Sequence, residues 1–223
     1  MLTVHHLENS RSQRVLWLLE ELEVPYEIVH YARDPKTMLA PPELKAVHPL
    51  GKSPVVTDAG ETLAETGAIV EAILERHGAG RLAPPPGTPA YRQMRYWLHY
   101  AEGSAMPPLL LKLVFGVLPQ RAPALVRPLV AGIARTAQAG FVDPQLKLHF
   151  DYWEDQLGKA DWFVGPDFTA ADVMMSFPIE AAAERAGLRD GRPRLAAFLD
   201  RIHARPAYRR ALERGGPYAY ANG

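Results

Sequence analysis

Residues 78–90, Gly-Ala-Gly-Arg-Leu-Ala-Pro-Pro-Pro-Gly-Thr-Pro-Ala, place seven glycines and prolines in thirteen positions. Proline lacks the backbone donor that helices and ladders need, and glycine loses the most conformational freedom on ordering, so this stretch reads as a linker. The chain must fold on either side of it. Upstream, short β-type runs alternate with helical ones; downstream, the pattern is helical almost to the end. The expected organisation is one unit over 1–78, a linker over 79–90 and a second unit over 91–223. A chain of 223 residues that is 48% hydrophobic suffices for two modest cores.

The first unit opens with Leu2 to His6 as a strand, a turn at Glu8-Asn9-Ser10 and a helix from Arg11 to Leu22. Val15, Leu16, Leu18, Leu19 and Leu22 mark one apolar face at helical spacing. Tyr26 to Tyr31 is a second strand, and this β-α-β start favours parallel pairing. A loop with Pro35, Pro41 and Pro42 leads to the strand that follows Lys52-Ser53-Pro54; Asp58 to Gly60 is a hairpin turn, Glu61 to Leu63 a fourth strand, and Glu65 to Arg76 a helix. That order is a small α/β domain with a four-stranded mixed sheet, a thioredoxin-like layout. The second unit is expected to be all-α. Its first helix, from Tyr91, should stop or kink between Gly103 and Pro108, and further helices are expected over 123–139, 144–158, 169–186, 194–201 and 207–214.

Lys and Arg number 25, as do Asp and Glu, so no global field draws nucleic acid or an anionic surface. There is no cysteine, which removes disulfides, Cys-based zinc sites and a redox pair of the protein's own. Thiol chemistry here needs a borrowed thiol. No signal peptide and no run of about 18 apolar residues is apparent, so the expectation is a cytoplasmic chain with no transmembrane segment. Adjacent His5 and His6 on a strand face opposite ways and are poor joint metal ligands; no metal is expected.

Four local features stand out. Asn9-Ser10-Arg11-Ser12 gathers hydroxyl, amide and free N–H groups at a positive helix end, which suits a thiolate. The same residues also read as helix caps, with Ser10 and Gln13 fitting a capping box. Ser53-Pro54 precedes an apolar strand, and a cis bond there would turn the Ser53 backbone toward an extended peptide. Glu65-Thr66 at a helix start offers an amino-acid zwitterion a carboxylate, a hydroxyl and N–H groups, although acidic residues there are also ordinary dipole complements. Thr169 to Asp172 is a capping box opening a buried helix, a structural device. The arginines between 201 and 214 read as a solvated face, and the apolar run Leu109 to Phe115 as core packing ahead of a greasy pocket wall.

In this order and spacing these features resemble the cytosolic glutathione transferase superfamily over essentially the whole chain. The stretches 5–20, 40–45, 48–54 and 63–67 look like its N-terminal domain. Residues 100–109 and 170–178 resemble a fungal and bacterial subgroup typified by a yeast membrane-associated glutathione transferase. The resemblance implies that Ser53 and cis Pro54 pair with the cysteinyl backbone of glutathione, that Glu65 and Thr66 hold its γ-glutamyl end, and that Lys52 meets its glycyl carboxylate. Ser10, with Asn9 and Ser12 beside it, would activate the thiol. Arg11, Tyr100 and Met106 would line an electrophile pocket between the domains, with Tyr218 and Tyr220 of the tail nearby. It further implies glutathione as co-substrate, a small hydrophobic electrophile and a homodimer in which helix 65–76 meets the partner's helix from Tyr91. Two other activities fit the same residues: glutathione-dependent reduction of disulfides or peroxides, and a non-catalytic regulatory or binding role.

Overall fold

The structure, a computed structural model, describes residues 1–189 and 191–221. Four strands form one sheet, β1 (Leu2–Leu7), β2 (Tyr26–Tyr31), β3 (Val55–Asp58) and β4 (Glu61–Ala64), in the order β2-β1-β3-β4. β1 runs parallel to β2 and antiparallel to β3, which pairs antiparallel with β4. Helix α1 (Ser12–Leu22) crosses between the parallel strands, and α3 (Thr66–His77) follows β4. The mixed sheet expected from the sequence is the one found.

Proline produces the departures. Pro41 and Pro42 open a short helix, α2 (Pro42–Val47), in the segment read as a loop. Proline at a first helical position sacrifices only an N–H that has no partner there, and burial of Leu44 anchors the turn. Of the stop or kink expected between Gly103 and Pro108, the stop does not occur. α4 (Pro89–Tyr100) passes through a π-helical turn (Ala101–Ala105) directly into α5 (Met106–Arg121). Likewise α6 (Arg127–Ala137) passes through a second π-turn (Gln138–Val142) into α7 (Asp143–Gln156), where two separate helices were expected. Both π-turns stand just before prolines, Pro107-Pro108 and Pro144. A widened turn carries one extra residue, so the helix steps past the missing donors instead of ending.

The merged helix Pro89–Arg121 has 33 residues, and its most apolar 18-residue window has a mean hydropathy of 1.3 with 28% of it buried. By length and composition it is apolar enough to cross a bilayer, although Lys112 and Gln120 interrupt it and no unbroken run of 18 apolar residues exists. Its first half is a core element nonetheless: Met94, Trp97, Leu98, Ala101, Ala105, Met106 and Leu109 are all buried.

The centre of the second unit is α8 (Ala170–Ala186), buried from Ala170 through Ala182. Its start is the expected capping box. Thr169 Oγ1 accepts the Ala171 N–H, and Asp172 Oδ2 accepts the Thr169 N–H at 2.8 Å. Asp172 Oδ1 also takes the Phe163 N–H at 2.9 Å, tying the preceding loop to the helix. α9 (Pro193–His203) and α10 (Pro206–Gly215) complete the fold.

The arginine-rich end is a clasp, not a merely solvated face. Arg205 forks onto Glu21 at 2.6 and 2.8 Å, and both Arg210 and Arg214 reach Glu20. Arg205 also stacks over Phe168 at 3.8 Å and Arg214 over Tyr26 at 3.7 Å. These contacts seat α10 on α1, so the last helix of the chain holds the first. Spacing alone could not show this, because the acidic partners lie 184 to 194 residues away.

Candidate active site

Strand register brings three loops to one end of the sheet. His5 pairs with Val55, so the exit of β1 lies beside the entry to β3; Val55 pairs with Ala64, so the exit of β4 lies there too. Residues 9–12, 53–54 and 65–66 therefore converge, although the sequence spreads them over some 57 positions. A direct contact closes the arrangement, with Ser10 Oγ donating to Ser53 Oγ at 3.2 Å. The Ser53-Pro54 bond is cis, as expected.

Two of these residues hold backbone conformations that side chains usually avoid. Asn9 has φ 50° and Glu65 has φ 69°. Such positions cost about 1–3 kcal/mol each and persist where the surroundings fix them, commonly at binding sites. Glu65 is exposed and makes no capping bond with its own helix, and Thr66 beside it is buried. An exposed carboxylate and a helix N-terminus therefore sit together, as a zwitterion requires. Lys52 is exposed one residue before Ser53.

The turn ahead of α1 differs from its reading as a cap. Gln13 is buried with both amide atoms unpaired, so the Ser10–Gln13 capping box does not form. Asn9 does not cap either: its Oδ1 accepts the N–H of Ala219 at 2.8 Å, fastening the C-terminal tail to the turn. Ser10 Oγ instead accepts the Ser12 N–H at 3.2 Å and lies 2.8 Å from Ser12 Oγ, which lies 2.9 Å from His6 Nδ1. From the sequence His6 stands out only as a poor metal ligand. Its connection to the turn depends on a buried side-chain contact that alternation along a strand does not reveal.

Behind the turn the two units are pinned together by Glu102, a residue of the first π-turn. Arg11 Nε donates to it at 2.8 Å, and Arg14, buried to 1% exposure, forms a second ion pair with it while donating to the Met174 carbonyl at 2.7 Å. Both guanidiniums also lie over the Phe177 ring, at 5.3 and 5.2 Å. Burial pushes the Glu102 carboxyl up, but Arg14 and Arg11 outweigh it and hold it below the usual carboxylate range. π-turns gather at functional sites, and this one aims a carboxylate across the domain junction.

Family models for the glutathione S-transferase N-terminal domain and C-terminal domain match residues 1–75 and 130–213. Over 214 residues the chain is 34% identical to Glutathione S-transferase 3 of Schizosaccharomyces pombe, which covers 96% of this chain and 88% of that relative. The chain belongs to the glutathione S-transferase family. Glutathione S-transferase 1 of Saccharomyces cerevisiae is 32% identical over 223 residues, covering 96% of this chain and 95% of its own. A solved glutathione S-transferase of Actinobacillus pleuropneumoniae superposes with a TM-score of 0.83 at 32% identity, covering 100% of this chain and 97% of that one. A sphingomonad glutathione S-transferase solved with glutathione shares the fold, with a TM-score of 0.74, 23% identity and coverage of 96% and 98%.

In this family member the residues expected to line an electrophile pocket separate. Arg11 stands at the domain junction, one-third exposed. Tyr100 does not face the junction: its hydroxyl accepts the Trp153 Nε1–H at 3.0 Å and bonds His149, both on α7, so it belongs to the interior of the helical unit. Burial raises its phenol to about 12, which keeps it neutral. Met106 is buried in the core cluster. Tyr218 donates to Glu180 at 2.7 Å and Tyr220 packs edge-on against Phe177 at 5.4 Å, so the tail crosses from α8 to Asn9. Glu102 and Phe177 are the junction residues that sequence reasoning missed.

Proposed function

We propose that this transferase binds glutathione along the sheet end where residues 9–12, 53–54 and 65–66 meet, ionises its thiol at the Asn9–Ser12 turn and transfers the sulfur to a small hydrophobic electrophile. The observation that carries this reading is the convergence itself, with Ser10 and Ser53 in contact across two strands. Glu65 takes the ammonium of the γ-glutamyl group, Thr66 and the α3 N-terminus take its carboxylate, Ser53 pairs with the cysteinyl backbone, and Lys52 meets the glycyl carboxylate. Each role matches charge or hydrogen-bonding capacity to a group of the tripeptide.

The chemical task is modest. A thiol of pKa about 8.5 is a few per cent ionised at pH 7, and lowering it to about 6.5 takes roughly 2.7 kcal/mol of differential stabilisation. The turn supplies hydroxyl and amide groups at Ser10, Ser12 and Asn9 and the N–H groups opening α1, a set whose charge-assisted bonds cover that amount. Positioning beside the electrophile contributes the remainder of the rate. Arg11 and Phe177 at the junction are the walls nearest the sulfur position.

Kinetics of Glu65→Ala test the assignment. The contact to the ammonium is present in ground and transition states alike, so the substitution should raise the KM for glutathione about 10- to 100-fold with kcat nearly unchanged. An unchanged KM would remove Glu65 from the site.

A further inference from the structure

The C-terminal tail reaches the turn proposed to ionise the thiol, and it does so through a bond with one possible direction. The main-chain N–H of Ala219 donates to Asn9 Oδ1 at 2.8 Å. A backbone N–H cannot accept, so this contact settles which end of the Asn9 amide is which, with the oxygen toward the tail and the NH2 group turned away from it. Among the described residues that NH2 group meets no acceptor. Arg33 grips the turn from the other side. Its Nε donates to the Glu8 carbonyl at 3.2 Å, its Nη2 to the Asn9 carbonyl at 3.4 Å, and its own main-chain N–H to Glu8 Oε1 at 2.9 Å. These bonds hold Asn9 at its φ of 50°, a conformation asparagine tolerates better than most residues.

The hydroxyls of the turn are engaged with the protein. Ser10 donates to Ser53, and fully buried Ser12 lies 2.8 Å from Ser10 Oγ and 2.9 Å from His6 Nδ1. Asn9 keeps donor hydrogens without a protein partner, on a side chain that is only partly buried. The tail that orients it is itself anchored on both sides of Ala219. Tyr218 donates to Glu180 Oε2 at 2.7 Å, and the same buried carboxylate takes the Tyr208 hydroxyl on Oε1 at 2.6 Å. Tyr220 bonds Arg185, whose guanidinium lies over its ring at 4.9 Å, and packs against Phe177. Glu180, Arg185 and Phe177 all belong to α8, so Ala219 is held between two side chains fixed on one buried helix.

We propose that the tail is a positioning element for the thiol: Tyr218 and Tyr220 fix it on α8, the Ala219 N–H holds the Asn9 oxygen, and the Asn9 NH2 group thereby meets the glutathione sulfur as a donor. The proposal rests on the glutathione reading above. An amide that offers its nitrogen stabilises a thiolate, whereas the same amide offering its oxygen accepts from the protonated thiol and raises its pKa. A freely turning asparagine would present either end. Held by Ala219, it presents the donor before glutathione arrives, so the ionised sulfur meets a dipole that needs no reorganisation.

The test follows the thiolate absorbance of bound glutathione against pH in wild type, Asn9→Gly, Ala219→Pro and the double variant. Glycine holds a φ of 50° without strain, so Asn9→Gly removes the amide and spares the turn. Proline has no N–H, so Ala219→Pro removes the orienting bond and leaves Asn9 in place. Asn9→Gly should raise the bound thiol's midpoint by about one unit, a tenfold fall in the thiolate-to-thiol ratio, and Ala219→Pro by about half a unit, roughly threefold. Because the tail acts through Asn9, the double variant should titrate with Asn9→Gly and no higher. An unmoved midpoint in Ala219→Pro, or an equal further rise when it is added to Asn9→Gly, overturns the proposal. Should Ala219→Pro fail to fold, amide exchange decides. The N–H of Ala219, an exposed residue, should exchange slowly in wild type and faster in Asn9→Gly, and equal rates in the two overturn the bond. Calorimetry separates the two levels: no heat from glutathione with wild-type protein removes the binding site and the proposal together, whereas normal binding with an unmoved Ala219→Pro midpoint removes only the role of the tail.

Discussion

Asp172→Ala is expected to lower the unfolding free energy by about 3–5 kcal/mol, among the largest losses for a single substitution in this chain. Asp172 is fully buried and accepts from the Thr169 N–H, the Thr169 hydroxyl and the Phe163 N–H. Burial raises its carboxyl to about 6 against the pull of those donors, so it is ionised at pH 7 and all three bonds are made. Truncation strands buried donors at the start of α8 and frees the preceding loop at Phe163. At roughly 2–4 °C per kcal/mol for a chain of this size, the melting temperature should fall by about 6–20 °C. Thr169→Ala removes the cap and the hydroxyl's bond to Asp172 but leaves both N–H donors on the carboxylate, and should cost about 1–2 kcal/mol. Thermal melts followed by circular dichroism compare the two, and equal small losses would mean that α8 is held by packing alone.

Glu102→Gln should cost about 3 kcal/mol at pH 7, because it leaves the Arg14 guanidinium buried with no counter-charge. The substitution keeps the size of the side chain, so the loss reports charge and not volume. Glu71→Gln is the matching control. Its partner Arg95 is half exposed, and water screens the pair, so the expected loss is within about 0.5 kcal/mol. Urea denaturation measures both. A Glu102→Gln loss as small as that of Glu71→Gln would mean that the domain junction does not depend on this pair.

What the sequence revealed and what it hid divide along a physical line. Periodicity exposed α1 through Val15, Leu16, Leu18 and Leu19, and the Thr169–Asp172 box exposed the start of α8, because each signal lies within a few residues of what it specifies. Prolines misled in three places for a related reason. Pro42, Pro107-Pro108 and Pro144 do remove donors, but whether a helix ends or widens into a π-turn is decided by what packs on either side. Side-chain partners across the chain were not legible at all. Arg205 finds Glu21, Arg14 finds Glu102, and Tyr100 turns to His149 and Trp153 instead of toward the junction. The candidate site was read mainly from a family resemblance in residues 9–12, 53–54 and 65–66. The strand register then supplied a physical reason for those residues to meet. His6 escaped notice because alternation along β1 says only that it and His5 face opposite ways, whereas its partner is a hydroxyl on the following helix.

Glutathione is expected at this sheet end with its sulfur ionised by the turn before α1. A pH titration of the thiolate absorbance of glutathione bound to the wild-type protein, with S-methylglutathione as the blank, tests this. Stabilisation of roughly 2.7 kcal/mol by the turn corresponds to a midpoint near 6.5, about two units below that of an unperturbed thiol. A bound thiol that titrates near 8.5, as it would in water, would contradict the account.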